Sequence, residues 1–189
     1  MELVACNFEV FPQNSPTHET LRPMLNQCTE VRFPYSIGER NSNQFTFDFD
    51  SKLKNRLILG GGREAHFKLP PSIVKEYDFV LSFAGKLIVV EVEKANREKI
   101  LYDFLKFHMY LRNGADFGLL FLPKNYSHKS GEWDLFDWGK TRYQQARAFG
   151  FGTPGILDRI LIVGYQQCTI DGVPLDRKVR AALIVNRQP

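Results

Sequence analysis

Between residues 77 and 123 the chain reads as strand, tight turn, strand, helix, strand, and that order constrains its fold more than any other feature. YDFVLSF (77–83) has strand composition, Ala84-Gly85-Lys86 makes a turn, and LIVVEVE (87–93) is a second strand, so a hairpin is predicted. After it, Ile100, Leu101, Phe104, Leu105, Phe107 and Leu111 recur at helical spacing, and Asn113-Gly114 supplies the stop. FGLLFLP (117–123) is nearly all apolar, as in a strand covered on both faces. The order predicts an α/β fold, a mixed central sheet flanked by helices.

The flanking sequence is less decisive. Residues 12–43 are rich in Pro, Asn, Thr and Ser, with a short helix expected around 19–28. FTFDFD (45–50) alternates as a half-buried strand should. Gly60-Gly61-Gly62 is a break, and without a following Lys-Ser/Thr it does not read as a phosphate loop. Residues 124–139 read as a polar loop against which Trp133 and Trp138 pack, TRYQQARAF (141–149) as a helix, and RILIVGY (159–165) as a buried strand. The tail from 166 has a turn at Asp171-Gly172, four basic residues and an apolar patch at 181–185. With 189 residues, 43% hydrophobic, the chain suits a single domain spanning 1–189.

Charge and cysteines narrow the classes. A net charge of +4 permits an anionic partner such as nucleic acid without requiring one. Cys6, Cys28 and Cys168 are widely spaced and form no CxxC, so neither a disulfide framework nor a zinc site is expected, and a reduced cytoplasm is. The start MELVACNFEVF is interrupted by Asn7 and Glu9 and does not read as a signal peptide, and no apolar run approaches membrane-spanning length, so no membrane is expected.

The chemistry gathers on the second hairpin strand. Glu91 and Glu93, two apart, should point the same way. Adjacent anions repel, and burying either one unpaired is costly, so something must compensate. A divalent cation is the obvious candidate. Asp78 opens the first strand, 13 residues before Glu91 (91 − 78), so the hairpin can bring the two side by side next to a helix start. Three carboxylates of this kind suit Mg²⁺, which can acidify a water and stabilise charge on a phosphate oxygen. The competing reading is a solvated Glu-x-Glu face, against which stand the four apolar residues before Glu91. Asn96 equally suits a helix N-cap. Lys52, Lys54, Arg56, Arg63, Lys140, Arg142 and Arg147 could track a phosphate backbone or form an ordinary solvated surface.

Asp78, the Glu91/Glu93 pair, the helix and the strand after it resemble the PD-(D/E)xK nuclease superfamily over about residues 64–165. Tyr77 precedes Asp78 where that family has Pro, Glu93 stands where it has Lys, and Lys94 is one residue off, on the opposite face. EVEKAN (91–96) is similar to the Glu-x-Glu/Gln run, with Asn three residues on, of the BamHI/BglII type of type II restriction endonucleases. The resemblance implies a restriction-endonuclease-like fold with an αβββαβ core, Asp78 and Glu91 as Mg²⁺ ligands, and Glu93 orienting or deprotonating the water. It also implies Asn96 reaching into DNA, with Lys94, Arg97, Lys140 and Arg142 as further DNA contacts, and an upstream acid for which Glu64 is the nearest candidate. The implied protein is a metal-dependent endodeoxyribonuclease of a prokaryotic cytoplasm. It would cut double-stranded DNA as a homodimer at a short palindrome, leaving a 5′-phosphate and a 3′-hydroxyl, and could be accompanied by a methyltransferase acting on the same site. The alternatives are a repair or defence nuclease without sequence specificity and a DNA-binding module that has lost its chemistry.

Overall fold

Strands without a polar side must be covered on both faces, and the middle of this chain supplies several. The computed structural model describes residues 2–34, 42–69, 77–94, 96–128, 131–150 and 155–179. In chain order the elements are β1 (Glu2–Phe11), α1 (Pro16–Leu25), β2 (Val31–Pro34), α2 (Ser42–Leu59), β3 (Arg63–Glu64), β4 (Phe79–Phe83), β5 (Lys86–Val92), α3 (Lys99–Arg112), β6 (Phe117–Pro123), β7 (Tyr126–His128), β8 (Gly131–Trp133), α4 (Leu135–Ala148) and β9 (Ile160–Thr169). Seven strands form one mixed sheet in the order β2-β1-β9-β6-β5-β4-β3. Its centre, β5-β6-β9, is parallel, and the outer pairs are antiparallel. Strands β7 and β8 make a separate small hairpin.

Helices cover both faces of the sheet. On one side Leu21, Met24, Phe49, Leu53 and Leu57 of α1 and α2 pack with Val90, Phe121 and Val163. On the other, Phe104, Phe107, Leu135 and Phe136 of α3 and α4 pack with Val89, Leu120 and Ile162. Strand β5 therefore sends Ile88, Val90 and Val92 to the α1/α2 side and Val89 to the α3/α4 side. Its hairpin with β4 turns through Ala84 and Gly85, both at positive φ (50° and 72°), the twist that two-residue hairpins favour. A side chain at Gly118 of β6 would put its Cβ 2.5 Å from the Phe107 ring, so this glycine lets α3 lie close on the sheet.

Several expectations need correction. Residues 45–50 belong to helix α2, not to a strand. The alternation of phenylalanines is local, whereas Phe49, Leu53 and Leu57 repeat every four residues and are all buried, which is a helical period. Residues 124–139 are not one loop, since they hold the β7–β8 hairpin and the first turn of α4, capped by the Asp134 side chain on the Asp137 N–H. The start of the chain, read only as not being a signal, forms the ten-residue strand β1 between β2 and β9. Cys6 of β1 and Cys168 of β9 bring their sulfurs into contact across the two strands, Cα atoms 6.8 Å apart, a proximity that the sequence did not suggest. A separation of 162 positions gives no hint of that pairing. The apolar patch expected at 181–185 lies outside the described residues. Among the described residues no helix is long and apolar enough to cross a membrane.

Candidate metal and nuclease site at the end of the central hairpin

The hairpin register pairs Phe79 with Val90 and Val80 with Val89, and one further step sets Asp78 opposite Glu91. Asp78 Oδ2 accepts the Val92 N–H at 2.6 Å, which fixes the carboxylate against the neighbouring strand. Asp78 is exposed and lines an open cleft of about 260 Å³ with Asp50, Ser51, Lys54, Tyr77 and Phe79.

Glu91 is only 2% exposed, and a side chain rather than solvent neutralises it. Lys106 Nζ of α3 lies 2.5 Å from Glu91 Oε2, and the Tyr110 hydroxyl donates to Oε1 at 3.2 Å. Glu93, just past the strand, accepts the backbone N–H groups of Lys94 (2.9 Å) and Asn96 (3.0 Å) on Oε1, while Lys99 Nζ sits 3.1 Å from Oε2. Lys99, Asp103, Lys106 and Tyr110 are spaced i, i+4, i+7 and i+11, so they form one stripe of α3 along the end of β5. The two acids of the strand are thus each met by a lysine of the helix.

Asp103 is the exception in this array. It is 1% exposed, and among the described residues neither of its oxygens accepts a hydrogen bond. Its nearest cation, Lys106 Nζ, is 4.0 Å from Oδ1. Burial pushes its carboxyl up to about 7, with Lys99 and Lys106 pulling down and Glu93 and Asp78 adding to the rise. Burial likewise lifts Glu91 to about 7, against the pull of Lys106 and with a push from Asp78 and Asp103.

The remaining candidates are dispersed. Glu64 is on the outer strand β3, opposite Leu81, exposed and bridged to Lys54 at 2.7 Å, a contact that holds its carboxyl below the usual range. It does not join the cluster. Lys94 bonds Asp50 of α2 at 2.7 Å, and only 12% of its side chain is exposed, so it ties β5 to α2 instead of lying open to a phosphate. Asn96 is exposed, and its Oδ1 accepts the Glu98 N–H at 3.0 Å, a cap-like role at the start of α3. The Arg97 guanidinium lies over the rings of both Trp133 and Trp138, 5.1 and 4.8 Å from their centroids. Arg142 lies over the same Trp138 ring at 5.4 Å from its centroid, and Lys140 over Phe136 at 4.9 Å. Lys140 is also bridged to Asp137 at 3.1 Å.

The donor chemistry fits a hard divalent cation: Asp78, Glu91 and Asp103 offer only oxygens, and Asp103 has both of its oxygens without a hydrogen bond. The side chains as they stand do not close around one point, because among the described residues no three acidic, His or Cys groups form a metal-holding cluster. Lys106 lies near both Glu91 and Asp103, at 2.5 and 4.0 Å. Lys99, Asp103 and Lys106 are absent from the strand motif, and the only signal for them in the sequence is their i, i+4, i+7 spacing along α3.

No family model and no curated protein matches the sequence. Among solved structures the chain is similar to the crystal structure of restriction endonuclease BglII complexed with a DNA 16-mer. The TM-score is 0.50 at 10% identity, over 87% of this chain and 78% of that one. At such identity the likeness is one of fold, and the fold is that of a restriction endonuclease.

Proposed function

We propose that this protein is a Mg²⁺-dependent endonuclease hydrolysing phosphodiester bonds of double-stranded DNA. The observation that carries the reading is the pairing of Asp78 with Glu91 at the end of the central hairpin, beside an open cleft, in a fold shared with a restriction endonuclease. Asp78 and Glu91 would hold the metal. When bound, Mg²⁺ neutralises charge on a phosphate oxygen and acidifies water. The chain's own groups do the rest. Glu93, braced by two backbone N–H groups, orients the attacking water or takes its proton. Arg97, lying over two indole rings, offers its guanidinium to the DNA backbone, with Arg142 and Lys140 nearby on the same assembly. Asn96, exposed at the head of α3, reads a base edge. In its fullest form the reading is a type II restriction enzyme of a prokaryotic cytoplasm, a homodimer on a palindrome, with a cognate methyltransferase.

A second reading, a DNA-binding module without chemistry, is favoured by one observation: Lys106 already neutralises Glu91. Incubation with long plasmid DNA and Mg²⁺ separates the two. Discrete fragments support the restriction enzyme, a smear a nonspecific nuclease, and intact DNA the binding module. For the enzyme, Asp78→Asn should lower cleavage by orders of magnitude while DNA binding in chelator stays equal or tightens, because the substitution removes a charge facing phosphate. Retained cleavage at normal thermal stability would remove Asp78 from the site.

A further inference from the structure

Buried ions need partners, and three observations around α3 do not balance if the cluster is only structural. Lys106 is 5% exposed and Glu91 2%, so their contact is sealed from solvent. Asp103 is sealed as well, yet among the described residues neither of its oxygens accepts a hydrogen bond and its nearest ammonium stands at 4.0 Å, beyond bonding distance. Lys106 is therefore shared unequally by two buried carboxylates, close to Glu91 and remote from Asp103, which Lys99 reaches only at longer range.

We propose that Lys106 is the resident cation of a seat framed by Glu91 and Asp103, and that a divalent metal ion binds by displacing this lysine and taking Asp103 as an additional oxygen donor. The inference rests on the nuclease reading and extends it to a helix residue outside the strand motif. A divalent ion carries twice the charge of an ammonium and can bond both carboxylates at once, which Nζ does not. Lysine suits the role of placeholder, because its stem has four rotatable methylenes and its head is a compact point charge. Of the neighbouring lysines, Lys94 is bonded to Asp50, and Lys99 bridges Glu93 at 3.1 Å while its charge also reaches Asp103. Tyr110 remains on the other oxygen of Glu91 and holds that carboxylate in position through the exchange.

The test is calorimetric titration of Mn²⁺ into the full chain without DNA, with melting curves in parallel. Lys106→Met should bind Mn²⁺ about tenfold tighter or better and gain more melting temperature from it than the wild type does. Asp103→Asn should bind about tenfold weaker or worse. Folding of Lys106→Met only in the presence of Mn²⁺ also supports the exchange. Should Lys106→Met fail to fold in either condition, Lys106→Gln, which can still donate to Glu91, carries the same expectation. Equal or weaker binding by the Lys106 variants, or unchanged binding by Asp103→Asn, overturns the proposal. If the wild type binds Mn²⁺ and cuts DNA while these variants leave affinity unmoved, only the exchange fails. If no form binds Mn²⁺, the metal-dependent reading fails with it.

Discussion

On the side of the sheet covered by α1 and α2, β5 contributes Ile88, Val90 and Val92 to a packing of Leu, Met and Phe. On the side covered by α3 it contributes Val89 and Glu91, and Glu91 is buried as deeply as the apolar residues. The same strand thus meets one helix pair through apolar packing alone and the other through apolar packing and a buried charge together. The apolar side gains about 25 cal/mol per Å² of surface removed from water and needs no counter-ion. The charged side must offset desolvation with partners, and buried ion pairs are weak contributors to stability even when their geometry is good. The arrangement along α3 is therefore hard to explain by stability, which is the physical argument for reading it as a functional site.

Substitutions on the two sides should separate these roles. Glu91→Ala should cost most, about 3–5 kcal/mol in denaturant unfolding, since it strands the buried ammonium of Lys106 without a partner. A loss of under 1 kcal/mol would mean that the pair is hydrated and the contrast between the faces overstated. Leu53→Ala, fully buried on the α1/α2 side, should cost about 2–5 kcal/mol by cavity formation while leaving metal affinity of the folded protein unchanged. A shift in metal affinity there would couple the two faces. The smallest effect belongs to Asp50, the acid on α2 that bonds Lys94. Burial raises its carboxyl from 3.8 to about 6, with Lys94 opposing and Asp78 reinforcing the rise. The folded protein then binds more protons than the unfolded chain between about pH 4 and 6, so this group's contribution falls as pH rises through that window and levels off above it. Melting temperatures across pH 4–7 for wild type and Asp50→Asn should show this slope in the former and a flatter line in the latter. Parallel profiles would assign the slope to other acids.

The hairpin of residues 77–93, the helix after it and the strand after that were legible because their patterns are long and of one period, and Asp78 opposite Glu91 followed from counting across the turn. The apolar run before Glu91 also told that the strand is covered on both sides. Residues 45–50 point to a strand by their six-residue alternation, whereas the helical repeat of α2 is carried by residues farther along, Leu53 and Leu57. Strand β1 has mixed exposure along its length and no clean alternation, so its place beside β9 is set by long-range pairing and not by local pattern. At the site, the strand acids announced themselves, and their compensation did not. The apolar spacing along α3 marks its buried face, and Asp103 and Lys106 occupy positions of that same face, with Lys99 exposed at its head. Arg97 was legible as basic, but its place over Trp133 and Trp138 depends on α4 beginning earlier than the sequence suggested.

The pairing of residues 3–11 with residues 162–169 has a consequence for how the protein is made. Strand β1 precedes the other strands of the sheet along the chain and, during synthesis, waits for its neighbour β9, which comes last. Until then β6 also lacks one flank, and β1 can pair only with β2. Pairings this distant along the chain make for slow folding and expose strand edges in the interim. The central strands on which Glu91 depends are therefore completed late, so a truncated or stalled chain carries the acidic motif without the sheet that positions it.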